Sequence, residues 1–198
     1  MDAAQLNSER KAVCQSLLAM IEESKEIENS AERFIYIGQV LSTYSEWDVA
    51  QRAFENATAI DPENAIAWAL LAESAQQNGQ DGWKFLEKAQ QLDDSAEFVN
   101  GISALYFRRQ GKTDLAITYL QRALAANPEA ATWEIEIGNI YANRGDLAEA
   151  LTHYQAAVEI NQQDWVSLKA LASFCITYNY QLEEEGLPAA RQALALYP

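Results

Sequence analysis

The chain has 198 residues, 49% of them hydrophobic, with 8 glycines and 4 prolines. That is enough apolar material for a sizeable core, which excludes wholesale disorder, and no Gly/Ser-rich or Pro-rich stretch offers a linker, so one continuous body is expected. A formal net charge of −15 repels phosphate backbones and anionic lipid heads, which excludes nucleic acid and membrane surfaces from the expected partners.

The N-terminus, Met1-Asp2-Ala3-Ala4-Gln5, is neither basic nor succeeded by an uninterrupted apolar run, so it does not read as a secretory signal. No stretch reaches the apolar length of a membrane span, and a cytoplasmic location is the expectation. Cys14 and Cys175, the two cysteines, form no metal-type cluster and read as buried small hydrophobes. From about Glu9 to Glu28 the pattern is helical, with Leu17, Ile21, Ser24 and Ile27 on one stripe. Residues 1–30 are therefore expected to form an N-terminal capping helix over the rest of the chain.

From there the sequence repeats. Small residues recur at Gly38, Ala72, Ala104, Gly138 and Ala172, and again at Ala57, Ala89, Ala123, Ala157 and Ala193. A looser column runs through Pro62, Asp94, Pro128, Gln162 and Pro198. Columns sharing one period divide the chain into five repeats, about 31–64, 65–96, 97–130, 131–164 and 165–198. The second repeat is short by two residues around Gly79-Gln80-Asp81, and the fifth is long by two around Asn179 to Glu183. In the fourth repeat Ile137, Gly138 and Tyr141 share a helical face, and Gly145 is placed to end the helix in a left-handed conformation. Asp146 with Glu149 reads as a capping box for a second helix carrying Ala150, Tyr154 and Ala157. Gly138 is expected to face Ala150 and Ala157, so that the two backbones approach closely, with Tyr141 and Tyr154 filling the remaining holes.

These residues resemble the tetratricopeptide repeat, whose pattern runs W-x2-L-G-x2-Y, A-x3-F, P. Phe34, Ile37, Gly38 and Leu41 match its first half, and Ala50, Phe54, Ala57 and Pro62 its second. Ile137, Gly138, Tyr141, Ala150, Tyr154 and Ala157 match again, and Trp68, Leu71, Ala72 and Ala89 do so in part. Asn100 and Glu134 stand where the family prefers a large apolar residue, with Phe98 and Trp133 nearby to fill the space. The resemblance implies an all-α fold, a right-handed α-solenoid of antiparallel helix pairs, with the first helix of each repeat lining a concave groove that takes a protein or peptide partner. Carried over, the groove includes Gln39, Glu73, Phe98, Leu105, Arg108, Arg109, Asn139, Asn143 and Lys169. Ile35 and Gln39 stand where the family's chaperone-binding members hold Lys and Asn, so chaperone co-factor activity is not expected.

Within that groove the residues suggest specific chemistry. Asn139 and Asn143 lie one helical turn apart, and their amides suit the polar groups of a peptide backbone, or else are ordinary surface asparagines near a helix C-terminus. Arg108 and Arg109 suit a carboxylate or phosphate, or else complement the helix dipole before Gly111. Phe98 and Leu105 beside Gly101 suit either an apolar pocket or the core. No catalytic constellation is evident: His153 is the only histidine, no Gly-rich phosphate loop occurs, and metal-ligand spacings are absent. The chain is expected to be a non-enzymatic scaffold without cofactor or metal. Leu187, Leu194 and Leu196, near the end of the repeats, are expected to be partly bare, serving self-association or packing against more of a longer chain.

Overall fold

The computed structural model describes residues 30–196, and every regular element among them is helical. Helix α1 (Ser30–Thr43) packs on α2 (Trp47–Ile60), and α3 (Ala65–Gln77) on α4 (Trp83–Leu92). Helix α5 (Glu97–Arg109) packs on α6 (Thr113–Ala126), α7 (Ala131–Arg144) on α8 (Leu147–Ile160), and α9 (Trp165–Tyr178) on α10 (Leu187–Leu196). The described residues divide into two compact units, with the boundary between Asp94 and Ser95. The expected capping helix and Cys14 lie outside the described residues.

The small-residue columns mark where a helix makes room for its partner. Ala57, Ala89, Ala123 and Ala157 are fully buried. Gly38 lies against the ring of Phe54, and a methyl group added to it would overlap that ring. A methyl on Gly138 would stand 3.2 Å from the ring of Tyr154. The side chain nearest Gly138 is thus Tyr154, one of the large residues expected to fill the remaining holes, and the cleft that glycine opens takes the large residue of the partner helix. At the corresponding positions the alanines Ala72 and Ala104 go with the smaller Leu86 and Leu120, both buried.

The loops are set by local hydrogen bonding. Asp61, Asn127 and Asn161 each accept, through the side chain, the backbone N–H two residues on, at 3.2, 3.1 and 3.0 Å. This recurring Asx turn reverses the chain between repeats. Asn64 then caps α3 by accepting the Ala67 N–H, and Asp164 caps α9 by accepting those of Val166 and Ser167. Burial alone would raise the Asp164 carboxyl, but the Ser167 hydroxyl and the two backbone N–H groups outweigh it and hold it below the ordinary range. Asp146 stands at the N-cap of α8 without a side-chain capping bond, so the expected capping box does not form. Its ψ of 68° falls short of the extended values of Asn64 and Asp164, 98° and 104°. Gly145 ends α7 as expected, at φ 87°.

The irregular repeats absorb their length changes differently. The short second repeat has a ten-residue α4, against fourteen residues in α2, α6 and α8. The long fifth repeat places Asn179 and Gln181 in the left-handed region and continues into a π-helical turn, Leu182–Gly186. Gly186 is buried there, where a methyl group would come within 2.7 Å of Cys175 Cβ. Cys175 is itself buried, and burial first, then Glu185, pushes its thiol up. Among the described residues no helix is long and apolar enough to cross a membrane.

Candidate functional site

Asparagines 139 and 143 stand one turn apart on α7. Tyr154 on α8 donates its hydroxyl to Asn139 Oδ1 at 2.7 Å, and Tyr178, the last residue of α9, donates to Asn143 Oδ1 at 3.4 Å. The two amides line an open cavity of about 260 Å³ between residues of α7, α8 and α9. Ala142, Ala170 and Phe174 give it apolar walls, and Ser173 and Thr177 add exposed hydroxyls. Phe174 stacks on Tyr154 with centroids 4.8 Å apart and meets Tyr178 at 5.5 Å, so one aromatic cluster supports both tyrosines.

Tyr154 keeps its proton. Burial, then the neighbouring Tyr178 and Glu136, pushes its hydroxyl from the ordinary 10.0 up to about 12. The folded chain therefore binds this proton more tightly than the unfolded chain does. The resulting stabilisation is present below pH 10 and is lost as pH rises toward about 12. We expect the urea midpoint to fall more steeply across that window in the wild type than in Tyr154→Phe, and equal slopes would assign the alkaline loss elsewhere.

The other expected groove residues do not gather at this cavity. Arg108 is paired with Glu136 of α7, so its charge is already engaged within the chain. Arg109 is exposed at the end of α5. Phe98 and Leu105 are half-buried, and the ring of Trp133 lies against Gly101 beside them. The indole N–H of Trp133 reaches Glu97 Oε1 at 2.8 Å. Asn100 is buried with its amide donating to the Ala96 carbonyl at 3.0 Å, so a polar side chain occupies that position by bonding to its own helix. Lys169 is exposed on α9 with its ammonium over the Trp165 ring, 5.4 Å from the centroid. In the first compact unit Gln39 is exposed, and Glu73 is half-buried and accepts from Gln77 at 2.9 Å.

His153 stacks on Tyr141 and sits 2.7 Å from Glu134, a pairing within one helix pair that gives Glu134 its place among half-buried residues. Among the described residues no three or more metal-ligating side chains gather. Tyr154, Phe174 and Tyr178 were not expected at the site from the sequence. The available signal was an aromatic residue one repeat period beyond the end of α7.

The tetratricopeptide repeat family model matches residues 38–82 and 103–164, more than half of the chain, and the chain belongs to that family. Its fold is that of the helical-repeat solenoids, and proteins of this family generally serve as non-catalytic scaffolds for other proteins. Among curated proteins, the antiviral innate immune response effector IFIT1 of Macaca fascicularis is 34% identical over 87 residues, which is 43% of this chain and 18% of that protein. The human IFIT1 dimer with PPP-AAAA resembles the chain at a TM-score of 0.71 and 21% identity, covering 90% of this chain and 44% of that one. YrrB, a TPR protein with an unusual peptide-binding site, gives 0.53 and 20%, covering 91% and 93%. The chain spans about a fifth of the length of the Macaca relative, and the structural resemblances show the fold alone.

Proposed function

We propose that the chain is a non-catalytic interaction scaffold whose second compact unit binds an extended peptide segment of a partner protein. The observation that carries this reading is the asparagine pair set beside a partly apolar cavity. Two amides one turn apart hold a backbone, while Phe174 and the alanines accept an apolar side chain. Membership of a scaffold family supports the same class of partner. The net charge of −15 argues against nucleic acid and membrane surfaces, and the PPP-AAAA of the IFIT1 structure belongs to that protein.

The test is to select peptides from a displayed random library on the whole chain and measure their affinity by fluorescence anisotropy. Asn139→Ala combined with Asn143→Ala should weaken a selected peptide about tenfold or more, as expected for two lost backbone hydrogen bonds. Failure to enrich any peptide, or unchanged affinity in the double variant, would overturn the assignment.

One observation favours a second reading, self-association through α10. Leu194 is 68% exposed there, with Leu187 at 37% and Leu196 at 41%. A second copy covering them would remove apolar surface from water. Light scattering coupled to size exclusion should then give a mass that rises with concentration, and Leu194→Glu should return it to the monomer. A constant monomer mass across the series rules this out.

A further inference from the structure

The two asparagines are not free to present either end of their amides. Each Oδ1 is turned to a tyrosine hydroxyl, that of Tyr154 at 2.7 Å and that of Tyr178 at 3.4 Å. The two atoms of an amide head diverge, so an oxygen held by the tyrosine leaves the NH2 group as the end available to a ligand. Asn139 and Asn143, four residues apart on α7, are displaced by about 6 Å along the helix axis at 1.5 Å per residue. An extended peptide advances about 3.3 Å per residue, so carbonyls on one edge recur about every 6.6 Å. The rise between the two residues is therefore close to the spacing of same-edge carbonyls.

We infer that Tyr154 and Tyr178 are positioning residues that set the polarity of the asparagine pair, so that the site reads two same-edge carbonyl oxygens of an extended peptide rather than its N–H groups. This rests on the peptide-binding reading above and adds to it a rule for what the peptide must offer. The rule is graded. The Tyr154 bond is short and Tyr154 is a buried residue, whereas the Tyr178 bond is near the limit of a hydrogen bond beside an exposed Asn143. The raised hydroxyl of Tyr154 stays protonated throughout the physiological range, so its donation to Asn139 does not lapse with pH.

Two measurements separate this inference from the reading beneath it. Without any peptide, Tyr154→Phe should shift the side-chain NH2 resonances of Asn139 in an amide 15N–1H spectrum, with those of Asn143 little changed. Tyr178→Phe should do the reverse, more weakly. Unmoved resonances would overturn the inference whether or not a peptide binds. With a selected peptide, thioamide substitution weakens one carbonyl acceptor and keeps the N–H, while N-methylation deletes one N–H and keeps the carbonyl. Thioamides at two positions two residues apart should each cost roughly threefold to tenfold in affinity, the scale of one neutral hydrogen bond. N-methylation should be tolerated along that edge. In Tyr154→Phe, whose melting temperature serves as the folding control, one of the two thioamide penalties should disappear as the freed amide rotates. A purely structural tyrosine would lower affinity without changing that pattern. Thioamide penalties that persist in both Phe variants, or N-methylation that is the more damaging change, would also overturn it. Failure to select any peptide would instead strike at the peptide-binding reading itself.

Discussion

Ala123→Glu is expected to destabilise the second compact unit by about 3–5 kcal/mol, the cost associated with leaving a buried charge without a partner. Ala123 has no exposed surface, and it stands on α6 in the column of small residues that continues through Ala57, Ala89 and Ala157. A glutamate there would have to displace packed neighbours and either ionise in an apolar site or take up a proton with a raised pKa. Domains are stable by only about 5–15 kcal/mol, so a loss of that size consumes a large share of the total. The comparison is Ala125→Glu, two residues further along the same helix and exposed, which should cost no more than about 0.5 kcal/mol. Urea unfolding of both variants monitored by circular dichroism decides the matter. Equal midpoints for the two would mean that the small-residue column does not mark the tight approach between helices.

The fold was legible because its packing imposes a period. A helix pair that approaches closely needs a small residue at one height on one helix and a larger one at that height on the other. The next pair needs the same, and so the columns repeat. What the period could not show was which side chain fills the space. Gly138 was expected to face Ala150 and Ala157 with Tyr141 and Tyr154 in the remaining holes, and of these Tyr154 comes nearest it, because the pairing depends on the height at which the two helices cross rather than on their composition. Capping was legible by residue type but not by position. Asp146 with Glu149 has the pattern of a capping box and makes no cap bond, while Asp164 bonds two backbone N–H groups. Residue identity was satisfied at both positions, and the backbone was extended at only one of them.

At the candidate site the sequence revealed the half that lies on a single helix. Asn139 and Asn143 are related by one turn, so their common face is dictated by local geometry. Their tyrosine partners come from two other helices, 15 and 35 residues away along the chain, and no local pattern links them. The same limit explains Arg108. As a basic residue in the last turn of α5 it resembles a ligand for an acidic partner, but a glutamate 28 residues later already neutralises it. Long-range polar partners fall between the repeat columns, where a periodic reading has no purchase.

Trp133→Ala is expected to cost about 3–5 kcal/mol, and its coupling to Gly101 tests how the third and fourth repeats of the chain pack. The indole is 7% exposed, bonds Glu97 through its N–H, and lies in the cleft left by the missing side chain of Gly101. Glu97 also accepts from Asn127 at 2.8 Å, so the indole is tied to the loop that leads into its own helix. In the wild type, Gly101→Ala would push a methyl group into the ring and should cost about 1–3 kcal/mol. Once the ring is removed, the obstruction is gone, and only the backbone effect remains. Alanine inside a helix is favoured over glycine by about 0.5–1 kcal/mol. Gly101→Ala should therefore destabilise the wild type and stabilise the Trp133→Ala variant, a reversal of sign that a double-mutant cycle measured by urea unfolding would register. A cost that is the same in both backgrounds would mean that glycine is required at 101 for some reason other than the indole, and the cleft would have to be assigned to another neighbour.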